Sequence, residues 1–285
     1  MVVVVTDTCA SIPDPLIQEL GIELVHYYIH RGREMLRDTI DMTREEFYAW
    51  LPKAKELPKT ATPGPGDYLN AFRRAVERGA DAVVSIHMTS KGSGAYQAGL
   101  VAQEAARKEL PGVPIEVVDT LQVAMVHGWS AIEAARAAQA GAPLEEVVAV
   151  ARDVATRGMM IQTADTLRYL YMGGRIGRAQ HLVGALLNIK PIIGMEDGII
   201  VPLGKERSRK RAYQRIATIM EERVGRGASI KIAFMHTAAP EEAGKLQAII
   251  EPRFDCHEAL VSELSPALGV HTGPGMVGVG FFTCT

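Results

Sequence analysis

Short apolar runs alternate with amphipathic stretches through the first half of the chain. "VVVV" (2–5), "DAVVSIH" (81–87) and "IEVVD" (115–119) read as buried strands. Between the first two, "GDYLNAFRRAVERG" sets Tyr68, Leu69, Phe72 and Val76 on one face, which is helical spacing. "AYQAGLVAQEAARKEL" and "LQVAMVHGWSAIEAARAAQA" predict two further helices. Strands separated by helices of this length form βαβ units and a mostly parallel sheet. The loops at 6–11, 89–94 and 119–122 each follow a strand directly. A parallel sheet gathers all three on one edge, the carboxyl edge at which such sheets bind ligands.

From about residue 158 the pattern changes. "MMIQTAD" predicts a strand, and "TLRYLYMGG" a short helix closed by Gly173-Gly174. "KPIIGMEDGIIVPLG" predicts a hairpin turning at Asp197-Gly198. A charged helix (208–223), the strand "SIKIAFMH", a helix (240–250) and the strands "CHEALVSEL" and "MVGVGFF" follow. A length of 285 residues exceeds the usual span of one core, so two domains are expected. The expected division is an α/β, Rossmann-like three-layer domain with a parallel sheet over 1–155 and an α/β domain with a mixed sheet over 156–285. The segment Leu144 to Arg157 is the expected connecting helix.

Composition narrows the function classes. With 47% hydrophobic and 22% charged residues the chain is an ordinary globular protein, and a net charge of −2 gives no reason to expect nucleic acid or an anionic membrane as partner. The densest basic stretch, "KERSRKRAY" (205–213), is short. Three cysteines, Cys9, Cys256 and Cys284, form no CxxC or metal-type spacing, which argues for a reducing compartment. "MVVVVTDT" is too short and too little basic for a signal peptide, and no apolar stretch approaches a membrane span. The expectation is a cytoplasmic protein without stable membrane anchoring.

The stretch with the most chemistry is "MTSKGSGAYQ" (88–97). Thr89, Ser90 and Ser93 are gathered among glycines where a strand gives way to a helix, a natural place for an anion. It lacks the GxxxxGK[ST] of a phosphate loop, and Lys91 and Ala95 replace both glycines of a GxSxG elbow. Gly273-Pro274-Gly275-Met276-Val277-Gly278 is a literal GxGxxG, but a strand pattern follows it where a dinucleotide site needs a helix. "PKTATPGPGDY" (58–68) presents Thr60 and Thr62 on a rigid rim before a helix. His26 and His30 lack companions for a metal set and are read as structural. His271, in the glycine-rich "GVHTGPG", is the better functional histidine, and Arg175 and Arg207 are candidate anion or partner contacts.

Together these segments resemble the DegV family of bacterial fatty-acid-binding proteins. Thr6-Asp7-Thr8-Cys9-Ala10 is similar to TDST-A, Thr60-Ala61-Thr62-Pro63-Gly64-Pro65 to TSQPSP, and Thr89 to Tyr96 to SSxLSGTY. Asp119-Thr120 resembles DS, "TLRYLYMGGRI" (166–176) resembles TLEYLKKGGRI and precedes Ile189-Lys190-Pro191-Ile192-Ile193, and His271 to Gly275 is HTGPG. Cys9, Ala61, Thr62 and Ala95 depart from the pattern and thin its hydroxyl set.

The resemblance implies a DegV-like two-domain α/β fold with an apolar tunnel for a long-chain fatty acid such as palmitate. It implies a carboxylate held by Thr60, Ala61 through its backbone N–H, Ser93 and Gly94, with His271 nearby. It further implies a non-catalytic subunit, without cofactor or metal, that presents the fatty acid to a separate ATP-binding kinase subunit, with Arg175 and Arg207 contacting that partner or the phosphoryl group. The physics agrees with a carboxylate, which needs only one or two charge-assisted hydrogen bonds. The expected apolar supply is Met88, Met125, "HLVGALLNI" (181–189) and "PIIGMEDGIIV" (191–201). Two alternatives stand beside this reading: a serine-dependent lipid hydrolase or acyltransferase using Ser93 and His271, and a nucleotide-binding enzyme.

Overall fold

A computed structural model describes residues 1–183 and 189–284 of the chain. The first half begins with β1 (Val2–Asp7), α1 (Asp14–Glu19) and β2 (Glu23–Val25). An excursion follows through β3 (Tyr28–Arg31), β4 (Glu34–Arg37), α2 (Arg44–Trp50) and β5 (Lys59–Ala61). The chain then alternates: α3 (Pro65–Glu77), β6 (Ala82–His87), α4 (Ala95–Glu109), β7 (Ile115–Asp119), α5 (Ala124–Gln139) and α6 (Leu144–Arg157). The apolar runs thus become the strands expected of them. β1, β2, β6 and β7 pair in parallel in the order β2-β1-β6-β7. The excursion forms a separate antiparallel sheet, β4-β3-β5, whose short strands have no regular apolar alternation to announce them.

The second half comprises β8 (Met159–Thr163), α7 (Arg168–Met172), β9 (Lys190–Glu196), β10 (Ile199–Glu206), α8 (Arg209–Val224), β11 (Ser229–His236), α9 (Pro240–Ile250), β12 (Asp255–Glu263), α10 (Pro266–Thr272) and β13 (Val277–Thr283). Its six strands run β10-β9-β8-β13-β11-β12, and only β11 and β12 pair in parallel. β13 shows why the strand is central. Val277, Val279 and Phe281 enter the apolar cluster formed with α8 and α9, while Phe282 joins the cluster on the opposite face.

α5 decides how the two sheets meet. It is buried on almost every side, as its mostly apolar sequence requires. One face lies on β1 and the turn Thr8–Ala10, the other on β13. The Trp129 indole N–H donates to Gly280 O at 3.0 Å, and its ring meets Phe282 edge-on with centroids 5.8 Å apart. Gly280 lets the helix come this close, since a Cβ there would stand 3.2 Å from Val126 N. The result is a stack in which α3 and α4, the parallel sheet, α5 and α6, the mixed sheet, and α8 and α9 follow one another. A single apolar cluster runs from Val4 and Val84 through Trp129 to Ala233 and Met235.

Candidate functional site

The carboxyl edge of the parallel sheet is drawn together by its own loops. Thr89 N–H donates to Gln122 O at 2.8 Å and Ser90 N–H to Asp119 Oδ1 at 3.2 Å, so the loops after β6 and β7 are bonded side by side. Thr8 Oγ1, after β1, accepts from Tyr27 N–H at 3.3 Å. The mixed sheet closes over this edge with the β9–β10 hairpin, α7 and α10. Thr89 Oγ1 donates to Gly198 O at 2.9 Å across the seam.

Between these elements lies a cavity of about 460 Å³, within the ordinary range of roughly 300–1,000 Å³ for small-molecule sites. Its apolar wall comes from Met88, Met160, Leu170, Met195, Ile199, Ile200, Leu264 and Leu268. Its polar wall comes from Tyr27, Thr60, Thr62, Ser93 and His271, with Lys91 and Arg175 exposed at the rim. Met125 is in the core and not in this wall. Of "HLVGALLNI", residues 184–188 lie outside the described residues.

The polar wall is wired in two groups. Ser93 Oγ lies 2.6 Å from Tyr27 Oη and 3.1 Å from Thr62 Oγ1, and it accepts from Ala95 N–H at 3.2 Å. A hydroxyl has two acceptor positions and one proton. When Tyr27 donates the short bond, it and Ala95 N–H fill the acceptor side, and the Ser93 proton points at Thr62 or at an anion in the cavity. A carboxylate is the stronger acceptor of the two.

The second group is Thr60 and His271, whose Nε2 lies 3.0 Å from Thr60 Oγ1. Burial, helped by the nearby Arg175 charge, lowers the His271 pKa to about 4, so the ring is neutral at pH 7. Among the described residues His271 Nδ1 is buried without a partner. An orphaned acceptor is tolerated better than an orphaned N–H, which assigns the ring proton to Nε2. His271 then donates to Thr60, and the Thr60 hydroxyl proton is free for a cavity anion. Gly173 makes room for the ring, because a Cβ there would run into His271 Nδ1.

The structure therefore brings Thr60, Ser93, His271 and Arg175 to one cavity. It does not bring the rest of the expected set. Ala61 is paired with Tyr28 in the β3–β5 ladder, and Gly94 is exposed at the start of α4; neither lines the cavity. Arg207 is exposed just beyond β10 and also lies outside the lining. The Ser93–His271 pair of the hydrolase alternative is not formed, since His271 is bonded to Thr60 and Ser93 to Tyr27 and Thr62. His271 itself sits in the last turn of α10, where the sequence had suggested a glycine-rich loop.

The model of the DegV family, described as an uncharacterised protein family, matches residues 1–283. The chain belongs to the DegV family. A DegV domain-containing protein of Streptomyces coelicolor is 37% identical over 282 residues, 98% of this chain and 97% of that one. A DegV family protein from Thermus thermophilus, solved for its fatty acid binding, superposes with a TM-score of 0.91 at 29% identity, covering 99% of each chain. DegV of Bacillus subtilis, a fatty acid binding protein, gives 0.84 at 28% identity, again over 99% of each.

Behind the hydroxyls, this DegV family member carries a buried acid layer. Asp7 Oδ1 accepts from Cys9 N–H at 2.9 Å, shaping the turn that puts Cys9 on the cavity wall. Burial pushes the Asp7 carboxyl up to about 7 and the Cys9 thiol well above its ordinary value. Asp38 is likewise fully buried and raised to about 6 by burial, against the opposing pull of Thr8 and Ala267 N–H. His26 Nδ1 lies 2.8 Å from Asp38 O, a structural role. Among the described residues no group of three or more His, Cys, Asp or Glu could hold a metal, and no helix is long and apolar enough to cross a membrane.

Sequence reasoning missed Tyr27 and Gln162 on the cavity wall. Tyr27 meets Ser93 across 66 positions, a contact no local pattern announces. α10 did leave a signal: Ser265 before Pro266 is an N-cap followed by proline at the first helical position.

Proposed function

We propose that this DegV family member binds a long-chain fatty acid, such as palmitate, with its tail in the cavity and its carboxylate against Thr60 and Ser93. The observation that carries the proposal is the pair of hydroxyl groups, Thr60 and Ser93, on one wall of an otherwise largely apolar cavity. Two hydroxyl donors suit a carboxylate and are too few for a dinucleotide. Each buried methylene contributes about 0.8 kcal/mol, so a C16 tail supplies on the order of 10 kcal/mol before ordering costs. The fatty acid binding of the Thermus thermophilus and Bacillus subtilis relatives supports the same reading.

The protein on this reading is a carrier in the cytoplasm, without cofactor, that offers the carboxylate to a separate ATP-binding kinase subunit. Lys91 and Arg175 at the rim fit a site where negative charge gathers, and the exposed Arg207 is free to meet the partner. His271 acts by fixing the Thr60 hydroxyl and not as a base. Native mass spectrometry followed by organic extraction tests the carrier reading. One C14 to C18 fatty acid per chain is the expected result, and an empty protein that refuses added palmitate would remove it.

A further inference from the structure

Gln162 is a polar side chain in an apolar place. It lies on β8 between Ile193 of β9 and Gly278 of β13, and with Met160 it faces the cavity while Ile161 faces the opposite core. It is 4% exposed, and its amide borders the cavity and forms no hydrogen bond to any described residue. Ile193, its neighbour across the ladder, belongs to an apolar cluster with Leu167, Leu170 and Ile176. Nor is the amide bonded to the hydroxyl groups of the polar wall, whose contacts run to Tyr27, Thr62 and His271.

An amide so placed is costly once a plain hydrocarbon tail fills the cavity, because its donor and acceptor then lose water and gain nothing. Nothing in the packing of β8 demands it: Met160, one pleat away on the same face, shows that an apolar side chain fits this wall. The requirement comes from whatever occupies the cavity. Gln offers an N–H donor and a carbonyl acceptor side by side, and a hydroxyl is the small group that answers both at once.

We infer that Gln162 is a subsite for a hydroxyl on the acyl chain, so that the cavity takes a monohydroxylated fatty acid in preference to the plain acid of the same length. The inference rests on the fatty acid reading of the cavity and deepens it. A site built to pair with a substrate hydroxyl discriminates against the analogue lacking it, because the site's own group is left unpaired.

The test is a competition assay with stearate and a set of monohydroxystearic acids whose hydroxyl moves stepwise from the carboxyl end to the methyl end. At least one isomer should bind about tenfold tighter than stearate, the effect of one net hydrogen bond. Gln162→Met keeps the side-chain length and should erase that preference while tightening stearate severalfold. Stearate binding equal to that of every isomer would overturn the inference and leave the carrier reading in place. Weaker stearate binding in Gln162→Met would also overturn it, since the amide would then serve the carboxylate. Failure of stearate and every isomer to bind would remove both. The wild-type comparison stands without any variant, and Gln162→Leu repeats the second arm if the methionine variant folds poorly.

Discussion

Removing the Ser93 hydroxyl separates its two jobs. Toward the ligand, Ser93→Ala takes away one of two hydroxyl donors, a charge-assisted bond of about 1.5–3 kcal/mol, which is roughly a 10- to 150-fold rise in Kd for palmitate. Toward the protein, it takes away the partner of Tyr27 Oη at 2.6 Å, and Tyr27 is only 4% exposed. A buried hydroxyl left unpaired costs about 1–3 kcal/mol of stability. The double variant Ser93→Ala/Tyr27→Phe removes the orphan as well as its partner. It should recover much of the melting temperature and none of the affinity. Isothermal titration with palmitate and calorimetric melting of the empty proteins read the two effects apart. Unchanged palmitate affinity in Ser93→Ala would refute the assignment of the carboxylate to this wall. Recovery of affinity in the double variant would show that the loss came from disorder around Tyr27.

Gly173→Ala drives a methyl group into His271 Nδ1, so it should cost about 1–3 kcal/mol of stability and weaken palmitate binding by dislodging Thr60, as melting and titration would register. Asp7 has a folded pKa of about 7 against 3.8 in the unfolded chain, so its contribution is complete below the unfolded value and lost as pH rises through 7. The wild type should therefore lose more stability than Asp7→Asn between about pH 5 and about pH 8, measured by denaturant titration. His271 has the opposite sign: its pKa is lowered to about 4, and its contribution, present above the unfolded value of 6.5, is lost as pH falls through 4. Arg207→Ala should leave palmitate affinity unchanged and reduce acyl-phosphate formation with a partner kinase; lost lipid affinity would place Arg207 at the ligand instead.

Most of the regular structure was legible because it follows local rules. The runs at 2–5, 81–87 and 115–119 became β1, β6 and β7 of the parallel sheet, and the Asp197-Gly198 turn fell where the hairpin required it. The segment 208–223 became α8 behind a Ser208 cap. The strands β3, β4 and β5 escaped because segments of three or four residues carry too few positions to show a period. In the site, Thr60, Ser93 and His271 were legible as a set through the family motifs. Their wiring was not, because it depends on contacts across the fold: Thr60 to His271 over 211 positions, and Ser93 to Tyr27. Gln162 read only as one residue of a strand, since its meaning lies in what surrounds it.

Helix α5 has a bearing on how such a chain can change over time. Its buried surface is divided between a sheet built from residues before it and one built from residues after it. A fragment ending at residue 155 would carry Trp129 without Gly280 and Phe282, and a fragment beginning at 156 would leave the face of β13 that carries Phe282 bare. Neither piece has a complete interior, so neither should express as a soluble protein. The two halves are thus poor candidates for shuffling between genes, and substitutions on either side of α5 must be accepted together. That agrees with a family pattern that runs as one unit from residue 1 to residue 283.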